Sequence, residues 1–117
     1  MTSRGCIANC KFCSSRGFWK GKPRACSVKR VVDKIGWLYK EYGIKHVAFW
    51  DDIFTFNRDR AFEICKEILK RNLHLSWNCM TRLDGIDREL LGIMAQTGCS
   101  MISFGVESGS PEIIGKI

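Results

Sequence analysis

Apolar and polar positions along residues 27–117 fall into an alternation of helix-like and strand-like stretches. From Ser27, apolar residues recur at Val28, Val31, Val32, Ile35, Leu38 and Tyr42, the spacing of one helical face, and Gly43 supplies a stop. Ile44 to Trp50 ("IKHVAFW") reads as a buried strand, apolar on both faces towards its end. Asn57 caps a predicted helix running to about Arg71 that turns Ala61, Ile64, Cys65, Ile68 and Leu69 inward. In "LHLSWNCM", Leu73, Leu75, Trp77 and Cys79 alternate with His74, Ser76, Asn78 and Met80, the period of a strand. Asp87 caps a third helix with Leu90, Leu91, Ile93 and Met94 inward, ended by Gly98. "SMISFGV" predicts a third strand, and Ser110 followed by Pro111 starts a fourth helix.

Helix and strand thus alternate three times, at spacings of about 30 residues. Such units demand parallel strands and right-handed crossovers. The predicted class is α/β with a parallel sheet. Residues 1–26 lack this period and read as a loop. A loop leading into a crossover helix should follow a strand, yet only five residues stand before Cys6. The fourth helix is also cut short. Residues 1–117 therefore read as a fragment of one domain, a loop over 1–26 and helix–strand repeats over 27–117, with its first strand and last strands missing. The tryptophans Trp37, Trp50 and Trp77 are expected mostly in the core, and Trp19, on the loop, is a candidate lid or docking residue. His46 and His74 fall within strands and are expected as packed or edge residues.

Composition narrows the class. An apolar fraction of 45% and a charged fraction of 26% are those of an ordinary globular domain. The apolar stretches are strand-sized, so no membrane segment is expected. The polar, basic start carries no secretory pattern, and a cytoplasmic setting is expected. Seven cysteines are the outlier, and an odd number in such a chain points to metal or redox chemistry instead of a disulfide framework. Cys65, Cys79 and Cys99 sit in helix or strand patterns, where free cysteine is usually a small buried hydrophobe. Cys26 stands alone between basic residues. Cys6, Cys10 and Cys13 cluster.

Charge is uneven too. Residues 1–34 hold nine Lys and Arg against one Asp, while the other 83 hold ten against eleven. A basic segment on a neutral body suits an anionic partner, although a solvated loop explains the charge equally well.

In parallel α/β folds the loops leaving the carboxyl ends of strands gather on one face, where ligands bind. Here those loops carry Cys6, Cys10 and Cys13; then Asp51 and Asp52 after Trp50; then Thr81, Arg82 and Asp84 after Met80; then Glu107, Ser108 and Ser110 after Val106. Thiolates suit zinc or an iron–sulfur cluster. Structural zinc takes four protein ligands, and no fourth Cys or His follows at zinc-like spacing. Three ligands leave one metal position open to a substrate. The blander readings are that Asp51 and Asp52 cap a turn, and that Asp84 or Asp87 holds Arg82 in a surface pair.

The run Cys6-x-x-x-Cys10-x-Phe12-Cys13 resembles the signature of the radical S-adenosylmethionine (SAM) enzymes. That resemblance implies a partial, TIM-like (βα)₆ barrel, of which this chain covers about half. It implies that Cys6, Cys10 and Cys13 hold three irons of a [4Fe–4S] cluster and that SAM chelates the fourth. An electron then splits SAM into methionine and a 5′-deoxyadenosyl radical, which takes a hydrogen atom from a substrate. By the same resemblance Phe12 lies near the adenine. "FWDDIFT" stands where the family binds the SAM amino group, through Asp51 or Asp52. Arg82 of "MTRLD" pairs with the SAM carboxylate, and Glu107 and Ser108 of "FGVESGS" face its ribose or methionine part. "TSRGC", Phe18, Trp19, Arg24 and "DDIFT" resemble the cobalamin-associated branch, which implies a cobalamin domain outside the chain, an electron donor such as flavodoxin or ferredoxin, and a small-molecule or peptide substrate. Two other classes compete: a non-catalytic iron–sulfur electron carrier, and a metal-stabilised nucleic-acid module, against which the acidic strand ends argue.

Overall fold

The structure, a computed structural model, describes residues 1–117. In chain order its elements are β1 (Ser3–Arg4), α1 (Ser15–Trp19), β2 (Arg24–Ala25), α2 (Val28–Tyr42), β3 (His46–Ala48), α3 (Arg58–Lys70), β4 (Ser76–Thr81), α4 (Arg88–Gln96), β5 (Cys99–Phe104) and α5 (Pro111–Ile114), with a 3₁₀ turn at Leu83–Gly85. The three long helices start where their capping residues predict. Ser27 accepts from the Arg30 N–H at 3.3 Å, Asn57 from Arg60 at 2.9 Å and Asp87 from Leu90 at 2.8 Å. Each cap satisfies an otherwise orphaned donor and is worth about 1 kcal/mol. At the far end of α4, Gly98 takes φ +88°, and a Cβ there would stand 2.2 Å from the Leu75 carbonyl oxygen. Only glycine fits that approach.

Strands β3, β4 and β5 pair in parallel in that order. His46 lies opposite Ser76, and Trp77 opposite Cys99. The register slips after Trp77, so Asn78 meets Met101. Helices α2, α3 and α4 cover one face. Val31, Val32 and Ile35, then Ala61, Ile64, Cys65 and Ile68, then Leu90 and Met94 meet Leu73, Leu75, Trp77 and Cys79 there. Trp77 is the hub. It is fully buried, its ring centroid lies 5.3 Å from that of Phe49 and 5.4 Å from that of Phe54, and its indole N–H donates to the Thr97 carbonyl at 3.0 Å. The other face carries His46, Ser76 and Asn78, whose side chains are joined at 2.8 and 3.2 Å.

The α/β class and parallel repeat are as read from the sequence. Several details differ. Strand β3 is three residues long, because after Phe49 the chain dives to bury Ile53 and Phe54. Trp50 and Trp37 are not core, being 72% and 51% exposed. Phe49 takes the inward place at the end of β3, leaving Trp50 on the opposite side. Trp37 stands two residues past Ile35, off the buried stripe, and packs edge-on against Tyr42, predicted on the inward face but exposed at the last turn of α2. Leu69 and Leu91 are also exposed, each one position beyond a residue that fills the stripe. His46 lies on the edge strand β3, as expected, whereas the exposed His74 precedes β4 and belongs to no strand. Finally, residues 1–26 are more ordered than a plain loop. β1 and β2 pair antiparallel, Ser3 with Ala25 and Arg4 with Arg24, and close the segment on itself. The strand expected before Cys6 is present only as this two-residue piece, outside the parallel sheet.

Replacing the hub should show where stability resides. Trp77→Ala is expected to cost about 3–5 kcal/mol in urea unfolding, whereas Trp50→Ala should stay within about 0.5 kcal/mol.

Candidate functional site

The cysteine segment rests on the carboxyl rim of the parallel sheet, held at its root and in its middle. At the root, Asp51 stands three residues past the end of β3 and is 1% exposed. Its carboxylate accepts from the Thr2 N–H at 2.5 Å, from the Thr2 hydroxyl, and from the Ser3 hydroxyl at 2.9 Å. Asp52 is exposed, and one of its oxygens accepts from the Gly5 N–H at 3.1 Å. Gly5 takes φ +97°, and a Cβ there would lie 3.2 Å from the Pro23 backbone. From α3, Arg60 reaches the same root. Its Nη2 donates to the Thr2 carbonyl at 3.1 Å and the Thr2 hydroxyl at 3.0 Å, and its Nε donates to the Cys26 carbonyl at 3.1 Å. Burial pushes the Arg60 guanidinium down, and the Asp51 carboxylate opposes that shift.

The "FWDDIFT" stretch folds as an inward plug. Phe49, Asp51, Ile53, Phe54 and Thr55 are buried, and Phe54 N–H donates to the Met80 carbonyl at 2.8 Å. The Thr55 and Thr81 hydroxyls bond each other. Only Trp50 and Asp52 turn outward.

In the middle of the segment each of the three clustered sulfurs receives one N–H donor. The Ala8 amide lies 3.3 Å from Cys6 Sγ, the Ser15 amide 3.5 Å from Cys13 Sγ, and Arg82 Nη1 3.5 Å from Cys10 Sγ. Donors of this kind stabilise thiolates and tune iron–sulfur centres. No three Cys, His, Asp or Glu side chains close on a single metal ion. A cuboidal cluster asks for no such convergence, since each thiolate binds a different iron. Three thiols on one short segment, each facing an N–H donor, are the donor type that an iron–sulfur cluster takes.

Arg82 does two things at once. Its Nε and Nη2 form a fork on Asp84 at 2.9 and 2.7 Å, and its third group faces Cys10. That fork pushes the Arg82 guanidinium further up and holds the Asp84 carboxyl below its ordinary range. Asp87 is engaged elsewhere, with Arg58 at 2.6 Å. Beyond β5, Glu107 takes φ +63°, an uncommon conformation for a residue other than glycine. Its carboxylate folds back over Gly105. The Ser108 hydroxyl accepts from the Ser110 N–H at 3.1 Å, within its own turn. Phe12 is 58% exposed on the cysteine segment. The rim thus brings Arg82 to Cys10 and ties Asp51 and Asp52 to the root of the cysteine segment, while Ser108 bonds locally.

Thr2, Ser3 and Arg60 carry no role in the sequence reading. Arg60 leaves a signal there: an arginine in the first turn of a helix faces the positive end of the dipole. A cation in that position asks for a partner.

The chain matches the radical SAM superfamily over residues 1–117. It belongs to that family, whose members use SAM and a [4Fe–4S] cluster. Among its relatives it is 41% identical, over 97% of its own length, to an uncharacterized methyltransferase of Pyrococcus horikoshii. It is 37% identical, over 99%, to the cytidylyl-2-hydroxyethylphosphonate methyltransferase of Streptomyces wedmorensis. It is 34% identical, over 92%, to the anaerobic magnesium-protoporphyrin IX monomethyl ester cyclase of Rubrivivax gelatinosus. The chain spans only 25%, 22% and 20% of these three proteins. The fold matches the radical SAM methyltransferase TsrM of Kitasatospora setae, solved with cobalamin and a [4Fe–4S] cluster bound, with a TM-score of 0.88 over 97% of this chain and 21% of that one. At 21% identity that likeness speaks for the fold. No helix is long and apolar enough to cross a membrane.

The cysteines should separate by reactivity. With iodoacetamide on the metal-free chain near pH 8, mass mapping is expected to find Cys6, Cys10, Cys13, Cys26 and Cys99 labelled ahead of the buried Cys65 and Cys79, since the first five are all at least partly exposed. Cys65 should stay unlabelled, because burial pushes its thiol up to about 11. The neutral Cys65 thiol stabilises the fold below the ordinary value of 9.0, and that contribution is lost as pH rises through about 11.

Proposed function

We propose that Cys6, Cys10 and Cys13 hold a [4Fe–4S] cluster and that the rim beside them binds SAM for radical chemistry on a substrate held largely outside this chain. The observation that carries the reading is the N–H donor at each of the three clustered sulfurs, two from the cysteine segment and one from Arg82 across the rim. When bound, the cluster and SAM supply an electron and a 5′-deoxyadenosyl radical.

The chain's own residues bind, orient and shield. Asp52 presents one carboxylate oxygen free of protein donors and is the better partner for the SAM ammonium. Arg82, fixed by Asp84, offers a planar donor group for a carboxylate while steadying Cys10. Glu107 and Ser108 stand at the neighbouring strand end, where ribose hydroxyls would need acceptors and donors. Phe12 provides an exposed ring against which a purine stacks. A thiolate-ligated cluster is anionic, and the basic surroundings at Lys11, Arg16, Lys20 and Lys22 offset that charge. The same surface suits an acidic electron donor of the flavodoxin or ferredoxin class. The methyltransferase and cyclase names of the relatives favour a whole protein of the cobalamin-associated branch, with cobalamin held by a domain beyond these residues.

Anaerobic reconstitution followed by electron paramagnetic resonance tests the reading. The reduced chain is expected to show a [4Fe–4S]⁺ signal that changes on adding SAM, and Asp52→Asn should weaken SAM binding about tenfold, one charge-assisted contact. A signal indifferent to SAM would leave an electron carrier. Retention of zinc in place of iron would remove the cluster altogether. Reduction by flavodoxin should slow as ionic strength rises from about 50 to 500 mM, because exposed charges are screened.

A further inference from the structure

We infer that Asp51 is a positioning residue: with Thr2, Ser3 and Arg60 it forms a buried polar latch that fixes the root of the cysteine segment against the sheet rim, and it does not itself contact SAM. This rests on the reading of the site given above. Four observations converge on it. Asp51 is buried and its two oxygens already accept three hydrogen bonds, from the Thr2 amide and the Thr2 and Ser3 hydroxyls. Thr2 and Ser3 are themselves buried. Arg60 ties both ends of the segment together, bonding the carbonyls of Thr2 and Cys26. The Cys26 N–H in turn donates to the Thr2 carbonyl at 2.9 Å.

The latch follows from the cost of leaving polar groups unpaired. A buried carboxylate needs donors and a countercharge. A segment of some twenty residues gains a defined root only where its ends meet. Asp51 and Arg60 share the Thr2 hydroxyl, so the ends can separate only by exposing the buried Asp51 carboxylate and freeing the half-buried Arg60 guanidinium from Thr2. The neighbouring carboxylate, Asp52, touches the segment through the Gly5 N–H alone. The adjacent acids therefore divide the work. Asp51 holds the chain that carries the thiols, and Asp52 faces outward to a ligand. A loosened root would shift the thiols relative to Asp52 and Arg82. SAM must bridge the cluster and the rim, so its binding suffers more than cluster assembly does.

The test pairs two conservative variants, Asp51→Asn and Thr2→Val, in the full-length protein. Thr2→Val keeps the side-chain shape and the backbone N–H but removes the hydroxyl shared by Asp51 and Arg60. Hydrogen exchange of the metal-free protein reads the latch directly. Both variants should raise exchange at Thr2 and Cys26 about tenfold, with the amides of α3 and α4 unchanged. After reconstitution both should keep four irons per chain, weaken SAM binding about tenfold, and combine less than additively, as residues of one network do. Unchanged exchange at the root in both variants overturns the latch, as does faster exchange throughout α3 and α4. If Asp51→Asn alone weakens SAM binding while Thr2→Val behaves as the unmodified protein, Asp51 touches SAM and the inference fails. If the unmodified protein binds no SAM, the proposed function fails, and the exchange measurement still decides the latch.

Discussion

Parallel pairing is the constraint on which the rest of this structure depends. Two parallel neighbours cannot be joined by a tight turn, so each connection must travel back over the sheet, and a helix is the compact way to do it. With β3, β4 and β5 all parallel, their carboxyl ends point the same way. Asp51 and Asp52, Arg82, and Glu107 with Ser108 are thereby delivered to one rim from positions some 25 to 30 residues apart. Trp77 secures the arrangement in the central strand, where it meets Phe49 and Phe54 and bonds Thr97. Burial of that ring faces the sheet towards its helices and leaves the other face, with His46, Ser76 and Asn78, open.

The rim works by division between neighbours in sequence. In "FWDDIFT", Phe49, Ile53 and Phe54 belong to the core, Asp51 to the root of the cysteine segment, and Asp52 with Trp50 to the outside. Arg82 is divided within one side chain. Two of its nitrogens are fixed by Asp84, and the third is presented to Cys10. A guanidinium can do this because its donors lie in one rigid plane. Membership of the radical SAM superfamily gives these placements their chemical sense: the thiol segment is held against the rim by an acid at its root and a cation at its middle.

Much of this was legible along the chain. Ser27, Asn57 and Asp87 mark helix starts because their short side chains have one good use, accepting from a backbone N–H two or three residues on. The βα rhythm and the cysteine spacing are local patterns, and the structure and the family match bear out the fold and the family they suggested. Trp50 and Trp37 were misplaced because hydrophobicity alone does not say which of two nearby apolar residues takes the inward position. Phe49 and Ile35 took it. Thr2, Ser3 and Arg60 went without a role because their partners lie 34 to 58 residues away.

By itself, then, the sequence determined the class of the protein: which stretches are helix or strand, that the strands run parallel, and which three thiols cluster. Those features follow from periodicity, capping and short-range spacing, all decided within a few residues of chain. Tertiary structure alone decided which of two adjacent aspartates is buried, that Arg82 reaches a cysteine sulfur, and how the cysteine segment is tied at its root. Burial and hydrogen-bond partnership are properties of what surrounds a side chain, and for Asp51 those surroundings come from the opposite end of the sequence and from the first turn of α3.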